Sequence, residues 1–172
     1  MKIKIACLVA FIVFMIPYQA RAAKATAVIQ GTQENSELAG SVHLEDTDEG
    51  LLIEAEVFGA PPGLHGFHIH ENGSCEDQGN AAGGHYNPDS APHGFLPADG
   101  LEHAHAGDLG NIEINEEGEG TLGIMLPNLT LSGGKYNVGG RAVILHEKLD
   151  DFGQPVGNAG ARIGCGVIQT EE

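Results

Sequence analysis

The sequence predicts an all-β domain built as a sandwich or flattened barrel of about eight strands. Short segments of alternating apolar and polar residues are separated by turn-forming residues, and glycine is abundant, at 26 residues. No long segment has the apolar spacing of an amphipathic helix, and the chain has no internal repeat. A two-layer β architecture is the simplest one that buries strands of this kind.

Seven segments are strand candidates. In the clearest, residues 50–59 (GLLIEAEVFG), every second residue from Leu51 to Val57 is apolar, and Glu54 and Glu56 lie between them. This period of two places the apolar side chains on one face of a strand and the carboxylates on the other. The other candidates are residues 25–32 (ATAVIQGT), 41–46 (SVHLED), 66–71 (GFHIHE), 120–127 (GTLGIMLP), 141–147 (RAVILHE) and 161–169 (ARIGCGVIQ).

Two stretches interrupt this pattern. Residues 72–107 are rich in Gly, Pro, Asn, Asp and His, without a strand-like run. They contain four of the nine histidines: His85, His93, His103 and His105. A loop of that length inside a domain is usually either functional or disordered. A second, shorter irregular stretch covers residues 147–160.

Residues 1–22 have the three-part pattern of a secretory signal peptide. A basic start (MKIK) precedes an apolar run (IACLVAFIVFMI) and small residues that include Ala20-Arg21-Ala22. An uncleaved membrane anchor is the alternative, but the run is shorter than the roughly 20 residues that span a bilayer. We expect a mature domain over residues 23–172, exported to the periplasm or secreted, with no stable membrane association after cleavage.

The charge of the mature chain limits its partners. Loss of Lys2, Lys4 and Arg21 leaves five of the eight Lys and Arg against 24 Asp and Glu, a formal charge of about −19. Nucleic acid and anionic membranes would be repelled by such a surface. An anionic substrate would find few residues to attract it.

Two cysteines remain in the mature chain, Cys75 and Cys165. In an exported protein they most simply form one disulfide. It would close a loop of about 90 residues and stabilise the fold by roughly 4–5 kcal/mol on the chain-entropy model. The alternative, two thiolate ligands for a metal, is disfavoured because the CxxC spacing is absent.

The strand candidate GFHIHE carries the first metal-binding pattern. His68 and His70 would project from the same face of a strand, so that their imidazoles can converge on one ion. An isolated His-x-His is equally compatible with a solvated strand face. His65 would face the other way, which suits a supporting residue.

The rest of the chain adds further ligand types. Besides the loop histidines there are Asp108, in HAHAGD, and His146, at the end of an apolar strand candidate. Three imidazoles and a carboxylate suit tetrahedral zinc, and imidazoles without thiolate suit a redox-active ion such as copper. The count predicts two sites, one with three or four histidines from strand positions and one with three histidines and Asp108 from the loop. One histidine could serve both ions, since a deprotonated imidazole offers two nitrogens.

Five segments resemble the signature segments of the copper/zinc superoxide dismutase family. They are GFHIHENGSC, GGHYNP, HAGDLGN, LHEKLDD and GNAGARIGCGVI, and they occur in the family's order. The resemblance spans residues 63–168 and implies an eight-stranded Greek-key β-barrel with a long metal-binding loop and a short electrostatic loop. It also implies one copper and one zinc per subunit, and superoxide as the substrate. We expect an exported member of the family, of bacterial origin. A homodimer is one of the oligomeric states that the sequence leaves undecided.

The resemblance further implies roles for individual residues. The copper ligands are His68, His70, His85 and His146. The zinc ligands are His85, His93, His105 and Asp108, with His103 as an alternative to His105. Cys75 and Cys165 form the disulfide within the subunit. Asp150 links a copper-ligand histidine to a zinc-ligand histidine, and His65 supports the site. Arg162 lies at the mouth of the copper channel and acts in catalysis with the bridging His85.

One departure from the family concerns substrate guidance. Only 15 residues separate His146 from Arg162, and many family members have a longer, charged loop there. We therefore expect weaker electrostatic guidance of superoxide with unchanged chemistry. The alternative function is a non-catalytic, extracytoplasmic copper- and zinc-binding protein of the same fold. Such proteins typically lack a copper ligand or the channel arginine, and all of these are present here.

Overall fold

Nine β-strands and two short helices occur in residues 22–171, the part of the chain that the computed structural model describes. The strands are β1 (Lys24–Gly31), β2 (Ala39–Thr47), β3 (Gly50–Phe58), β4 (Gly63–His70), β5 (Asp108–Ile114), β6 (Gly120–Leu126), β7 (Ala142–His146), β8 (Arg162–Val167) and β9 (Gln169–Thr170). A 3-10 helix covers Asn80–Ala82, and the α-helix α1 covers Leu96–Asp99. Apart from Ala22, the predicted signal peptide lies outside the described residues.

Eight of the strands form a closed antiparallel barrel. Neighbouring strands follow the order β2-β3-β6-β5-β4-β7-β8-β1, and β1 closes the barrel by pairing with β2. The short β9 adds to β1. Non-consecutive strands are neighbours at β3–β6 and β4–β7, as Greek-key connections require. The prediction of an eight-stranded, all-β barrel is confirmed.

Strand β3 shows how the sequence pattern builds the core. The apolar residues at positions 51, 53, 55 and 57 are buried, whereas Glu54 and Glu56 are exposed. Full burial of a Leu or Ile side chain stabilises a fold by roughly 1.5–3 kcal/mol. The largest buried side chains of the other strands join the same core.

Strand β5 is the one strand of the barrel that was not among the sequence candidates. Its centre contains Gly110 and Asn111, two residue types that strands disfavour. Glu113 is its only exposed residue, so its burial does not alternate at the start. Gly110 has φ +90°, and a Cβ there would lie 2.6 Å from the Phe95 ring. Contact with a loop residue therefore explains a glycine that weakens the strand pattern.

The long loop between β4 and β5 is joined to the barrel at several points. The disulfide Cys75–Cys165 connects it to β8, with the Cα atoms 5.7 Å apart, as predicted. On its other side, the Arg141 guanidinium lies 3.5 Å from the centre of the Tyr86 ring and donates a 2.6 Å hydrogen bond to the Glu71 carbonyl. Among residues 22–171, no helix combines the length and apolar character needed to cross a membrane.

Candidate metal centre

Strand β4 directs two histidines away from the barrel core. Phe67 and Ile69 belong to the core cluster, so the alternation of the strand places His68 and His70 on the opposite face. Both histidines are nevertheless buried, because the long loop packs against this face. His85 comes from that loop and pairs with His70 in an isolated β-bridge.

The first ligand group contains four buried histidines. One nitrogen atom of each lies within 4.8 Å of those of the others: His68, His70, His85 and His146. Two rings are held from outside the group, since His70 Nδ1 lies 2.9 Å from the Gly83 carbonyl oxygen and His146 Nδ1 lies 3.3 Å from that of Gly160. Their Nε2 atoms face each other across 3.4 Å. This is an arrangement of acceptors around a common centre.

The second group lies beside the first and shares His85 with it. Its members are His85, His93, His105 and Asp108, all buried. Asp108 Oδ1 lies 2.8 Å from His85 Nδ1 and 3.1 Å from His105 Nδ1. Asp108 Oδ2 accepts hydrogen bonds from two backbone N–H groups, those of Gly94 and His105. These backbone bonds to Oδ2 fix the carboxylate, and Oδ1 faces His85 and His105.

Asp150 connects the two groups from behind. Its side chain is fully buried, with Oδ2 at 2.8 Å from His68 Nε2 and Oδ1 at 2.9 Å from His93 Nε2. Each histidine therefore donates its Nε2–H to the carboxylate and keeps Nδ1 as the free nitrogen. Orientation of ligand histidines by a carboxylate is the usual arrangement behind a metal site.

Two buried nitrogens test whether metal ions fit here. His68 Nδ1 and His93 Nδ1 have no hydrogen-bond partner, although the latter lies 2.9 Å from Asp108 Oδ2. That oxygen is not aligned for a hydrogen bond, and a close oxygen without alignment does not satisfy a nitrogen. Buried polar atoms almost always have partners. A metal ion in each group would provide them, and both donor sets suit one.

Burial keeps three histidines of the first group neutral. It lowers the pKa of His70 to about 2, that of His146 to about 3 and that of His85 to about 4. For His85 the hydrogen bond to Asp108 acts in the opposite direction but is outweighed. Neutral imidazole is the form that binds a metal. These three histidines can therefore bind a metal at neutral pH without first losing a proton.

The second group behaves differently because it contains carboxylates. Burial acts to lower the pKa of His93, but the adjacent carboxylates of Asp108 and Asp150 outweigh it and raise this pKa to about 9. Burial would raise the pKa of each carboxyl, yet the hydrogen bonds from histidines bring both well below the usual range. Without metal, His93 is the protonated member of the group.

Arg162, the first residue of β8, is half-buried next to the first group. Its guanidinium donates hydrogen bonds to the carbonyl oxygens of Gly79 and Gly83, the latter at 2.6 Å. The Gly83 carbonyl also accepts the bond from His70 Nδ1. Burial lowers the pKa of Arg162. One loop carbonyl thus holds both the arginine and a histidine of the first group.

The remaining predicted histidines have separate positions. His65 is buried, and its ring nitrogens lie 2.8 Å from the carbonyl oxygens of His146 and Pro61. It therefore supports the backbone of a group member without belonging to a group. His103, the alternative to His105, is exposed, as is His43.

A family model decides the identity of this arrangement. The model of copper/zinc superoxide dismutase matches residues 38–168. The chain belongs to the copper/zinc superoxide dismutase family. The resemblance found in the sequence is confirmed, and membership makes the chain an enzyme whose cofactors are copper and zinc.

Curated relatives agree with the family match. An extracellular superoxide dismutase [Cu-Zn] of Caenorhabditis elegans is 41% identical over 144 residues, 80% of this chain. The match covers 63% of that relative's length, slightly less than two thirds. Superoxide dismutase [Cu-Zn] 2 of Aquifex aeolicus is 39% identical over 153 residues, which are 85% of this chain and 86% of the relative.

A solved structure shares the fold of this superoxide dismutase family member. The crystal structure of the clock protein EA4 superposes with a TM-score of 0.77 at 33% sequence identity. The match covers 90% of this chain and 99% of that one. The shared fold therefore includes most of this chain.

Three residues around the family's metal centre were missed in the sequence analysis. Asn111 binds the backbone of Asp150 twice, accepting from its N–H at 2.7 Å and donating to its carbonyl at 2.9 Å. Gln154 binds the backbone of His93 in the same way. Gly157 has φ +76°, and a Cβ there would lie 1.8 Å from Asp150 Oδ1. Asn111 lies in the family segment HAGDLGN and Gly157 in GNAGARIGCGVI, whereas Gln154 lies outside all five segments. Amides and glycines are common in loops, so none of the three was singled out.

Proposed function

We propose that the chain converts superoxide to oxygen and hydrogen peroxide. The observation that carries the proposal is the pair of buried ligand groups that share His85, in a chain of the copper/zinc superoxide dismutase family. The reaction consumes two superoxide anions and two protons for each pair of products. The substrate is an anion, in keeping with a guanidinium beside the first group.

The donor types support an assignment of the two metals. The first group, His68, His70, His85 and His146, would hold copper, because imidazoles without thiolates suit it. The second group, His85, His93, His105 and Asp108, would hold zinc in a tetrahedral site. When bound, copper supplies the one-electron redox chemistry and zinc supplies a fixed positive charge.

His85 is the residue proposed to handle a proton. Its Nδ1 faces Asp108 at 2.8 Å, so the ring is held from the zinc side. Its Nε2 is then free to hold a proton and to return it during the cycle. The shared histidine thereby serves as a proton carrier as well as a ligand.

Arg162 is proposed to attract and orient superoxide. It is one of five Lys and Arg in a mature chain of about −19 charge. The two loop carbonyls that accept its hydrogen bonds hold the guanidinium beside His70. A fixed local cation can reverse the repulsion of a net negative protein at short range.

The signal-peptide pattern supports a role outside the cytoplasm. The relatives from Caenorhabditis elegans and Haemonchus contortus are named extracellular superoxide dismutases. We propose export followed by defence against superoxide in the periplasm or outside the cell. Cell fractionation with mass spectrometry of the mature N-terminus tests this, since an uncleaved cytoplasmic protein would contradict it.

Metal analysis combined with an activity assay tests the enzymatic proposal. The full chain, loaded with both metals, should remove superoxide in a copper-dependent way. His146→Ala should lose copper and at least 99% of the activity, because its Nε2 belongs only to the first group, while zinc stays bound. His43→Ala, a change at an exposed histidine outside both groups, is the matched control.

Two results would argue against the proposal. Protein that holds both metals but removes no superoxide would favour the non-catalytic metal-binding alternative. Activity in His146→Ala equal to that of the parent protein would show that the assigned copper group is wrong.

A further inference from the structure

Gln154 is joined to one member of the second group by two hydrogen bonds. Its Oε1 accepts from the His93 N–H at 3.0 Å, and its Nε2 donates to the His93 carbonyl at 2.8 Å. The two residues lie in different loops, 61 positions apart in the chain. One amide side chain therefore satisfies both backbone groups of a histidine whose ring faces the metal centre.

These bonds complete the restraints on His93. Asp150 accepts from Nε2 at 2.9 Å, and the ring is fully buried. The remaining nitrogen, Nδ1, lacks a hydrogen-bond partner. Gln154 determines where the backbone lies and Asp150 determines the ring rotation, so together they direct Nδ1 into the second group.

We infer that Gln154 is a positioning residue for the zinc site, holding His93 in place through its backbone. The inference rests on the proposed assignment of His93 to zinc. It also explains how the short loop of residues 147–161 contributes to the site. Asn111 clamps the Asp150 backbone by the same two-bond geometry, so two amides hold the two residues that meet at 2.9 Å.

The location of Gln154 allows a clean test. The residue is exposed, so replacing it leaves no cavity in the core. Gln154→Met keeps the length of the side chain but removes both hydrogen bonds. Gln33→Met makes the same chemical change at another exposed glutamine, in the turn after β1, and is the matched control.

The experiment uses the full metal-free chain with Co²⁺ as a spectroscopic probe, and then Zn²⁺. Tetrahedral Co²⁺ absorbs strongly in the visible region, so its spectrum reports ligand geometry independently of activity. We expect Gln154→Met to alter this spectrum and to release Zn²⁺ to a chelator roughly tenfold faster, the lower end of the range for partners behind metal ligands. Gln33→Met should match the parent protein in both measurements.

The outcomes distinguish a failure of the positioning role of Gln154 from a failure of the zinc assignment on which it rests. The substitution His105→Ala, made in the parent protein, should abolish the tetrahedral spectrum. If it does not, or if no such spectrum forms, the zinc assignment fails and the inference fails with it. If the spectrum forms and Gln154→Met leaves it and the release rate unchanged, Gln154 has no positioning role. Equal effects of Gln154→Met and Gln33→Met would also overturn the inference.

Discussion

At the scale of single residues, the metal centre is organised by which nitrogen each histidine has free. His70 and His146 donate Nδ1–H to loop carbonyls, whereas His68 and His93 donate Nε2–H to Asp150. Each ring consequently presents its other nitrogen to a group. The outer partners thus select which nitrogen of each ring faces the metal.

Replacement of Asp150 tests this selection. In Asp150→Asn the negative charge is lost and one acceptor oxygen becomes an NH₂ donor, which would face the N–H groups of His93 and Phe152 or that of His68 instead of accepting from them. We expect zinc affinity to fall by about 10- to 100-fold, measured by competition with a chromogenic chelator. Asp151→Asn, at the exposed neighbouring carboxylate, should behave like the parent. Unchanged affinity in Asp150→Asn would contradict a role in orienting the ligands.

The raised pKa of His93 predicts proton release on zinc binding. With a pKa of about 9, His93 is protonated at pH 7.5 and must lose that proton to offer Nδ1. His85, with a pKa of about 4, has none to lose. We expect zinc binding to release the His93 proton near pH 7.5, and this release to decline as the pH rises through 9.

Calorimetry of zinc binding in buffers of different ionisation enthalpy measures this release. A release independent of pH between 7 and 10 would contradict the raised pKa.

The raised pKa of His93 also affects the stability of the metal-free fold. Because the folded pKa lies above the unfolded value of 6.5, the contribution of His93 to stability is complete below pH 6.5 and disappears as the pH rises through 9.

At the scale of elements, two loops of unlike length build one site on a rigid barrel. The loop between β4 and β5 supplies His85, His93 and His105, and β5 begins with Asp108. The loop after β7 supplies Asp150 and Gln154. Loops are normally the most mobile parts of a domain, so the contacts that hold them have to be explained.

The disulfide is one of these contacts, and its removal should be costly. Cys75 and Cys165 are separated by 90 positions, so the chain-entropy model assigns the bond roughly 4–5 kcal/mol. We expect the Cys75→Ser, Cys165→Ser double variant to lose about this much free energy of unfolding in the metal-free form, measured by urea denaturation. An unchanged midpoint would show that the loop is held without the bond. Chemical reduction of the parent protein should reproduce the double variant.

At the scale of the whole molecule, substrate and protein carry charge of the same sign. The mature chain has about −19 formal charge, so only a local cation can attract superoxide. Arg162 is held beside the first group by loop carbonyls. The short loop after β7 contains one further cation, Lys148. Guidance should therefore depend mainly on Arg162.

Reversal of that charge should slow the enzyme most at low salt. We expect Arg162→Glu to lower the rate of superoxide removal at least tenfold at roughly 10 mM salt, with a smaller difference at roughly 150 mM, because screening shortens the range of the field. Lys24→Glu makes the same change in net charge on β1, away from the site, and should have little effect. Copper content must be equal in all variants, since Arg162 also binds the loop. Equal salt dependence in Arg162→Glu and the parent would argue against guidance.

The sequence by itself determined the strand pattern, the pair of cysteines and the family. Alternation in β3 and the spacing of His68 and His70 follow from the two-residue period of a strand, which is a local property of the chain. The signature segments carry the resemblance because each contains its ligand residues within a few positions. Strand β5 was missed because it contains Gly110, a residue type that strands disfavour. Close contact with Phe95 requires this glycine, and no local sequence pattern shows that contact.

Only the tertiary structure decided which residues hold those ligands in place. Asn111 and Gln154 bind the backbones of Asp150 and His93, which are 39 and 61 positions away. His105 lies in the second group while His103 is exposed. Such pairings depend on how two loops pack over one face of the barrel. These pairings are long-range contacts. The sequence shows which residues are present, but it does not show which distant residues come into contact.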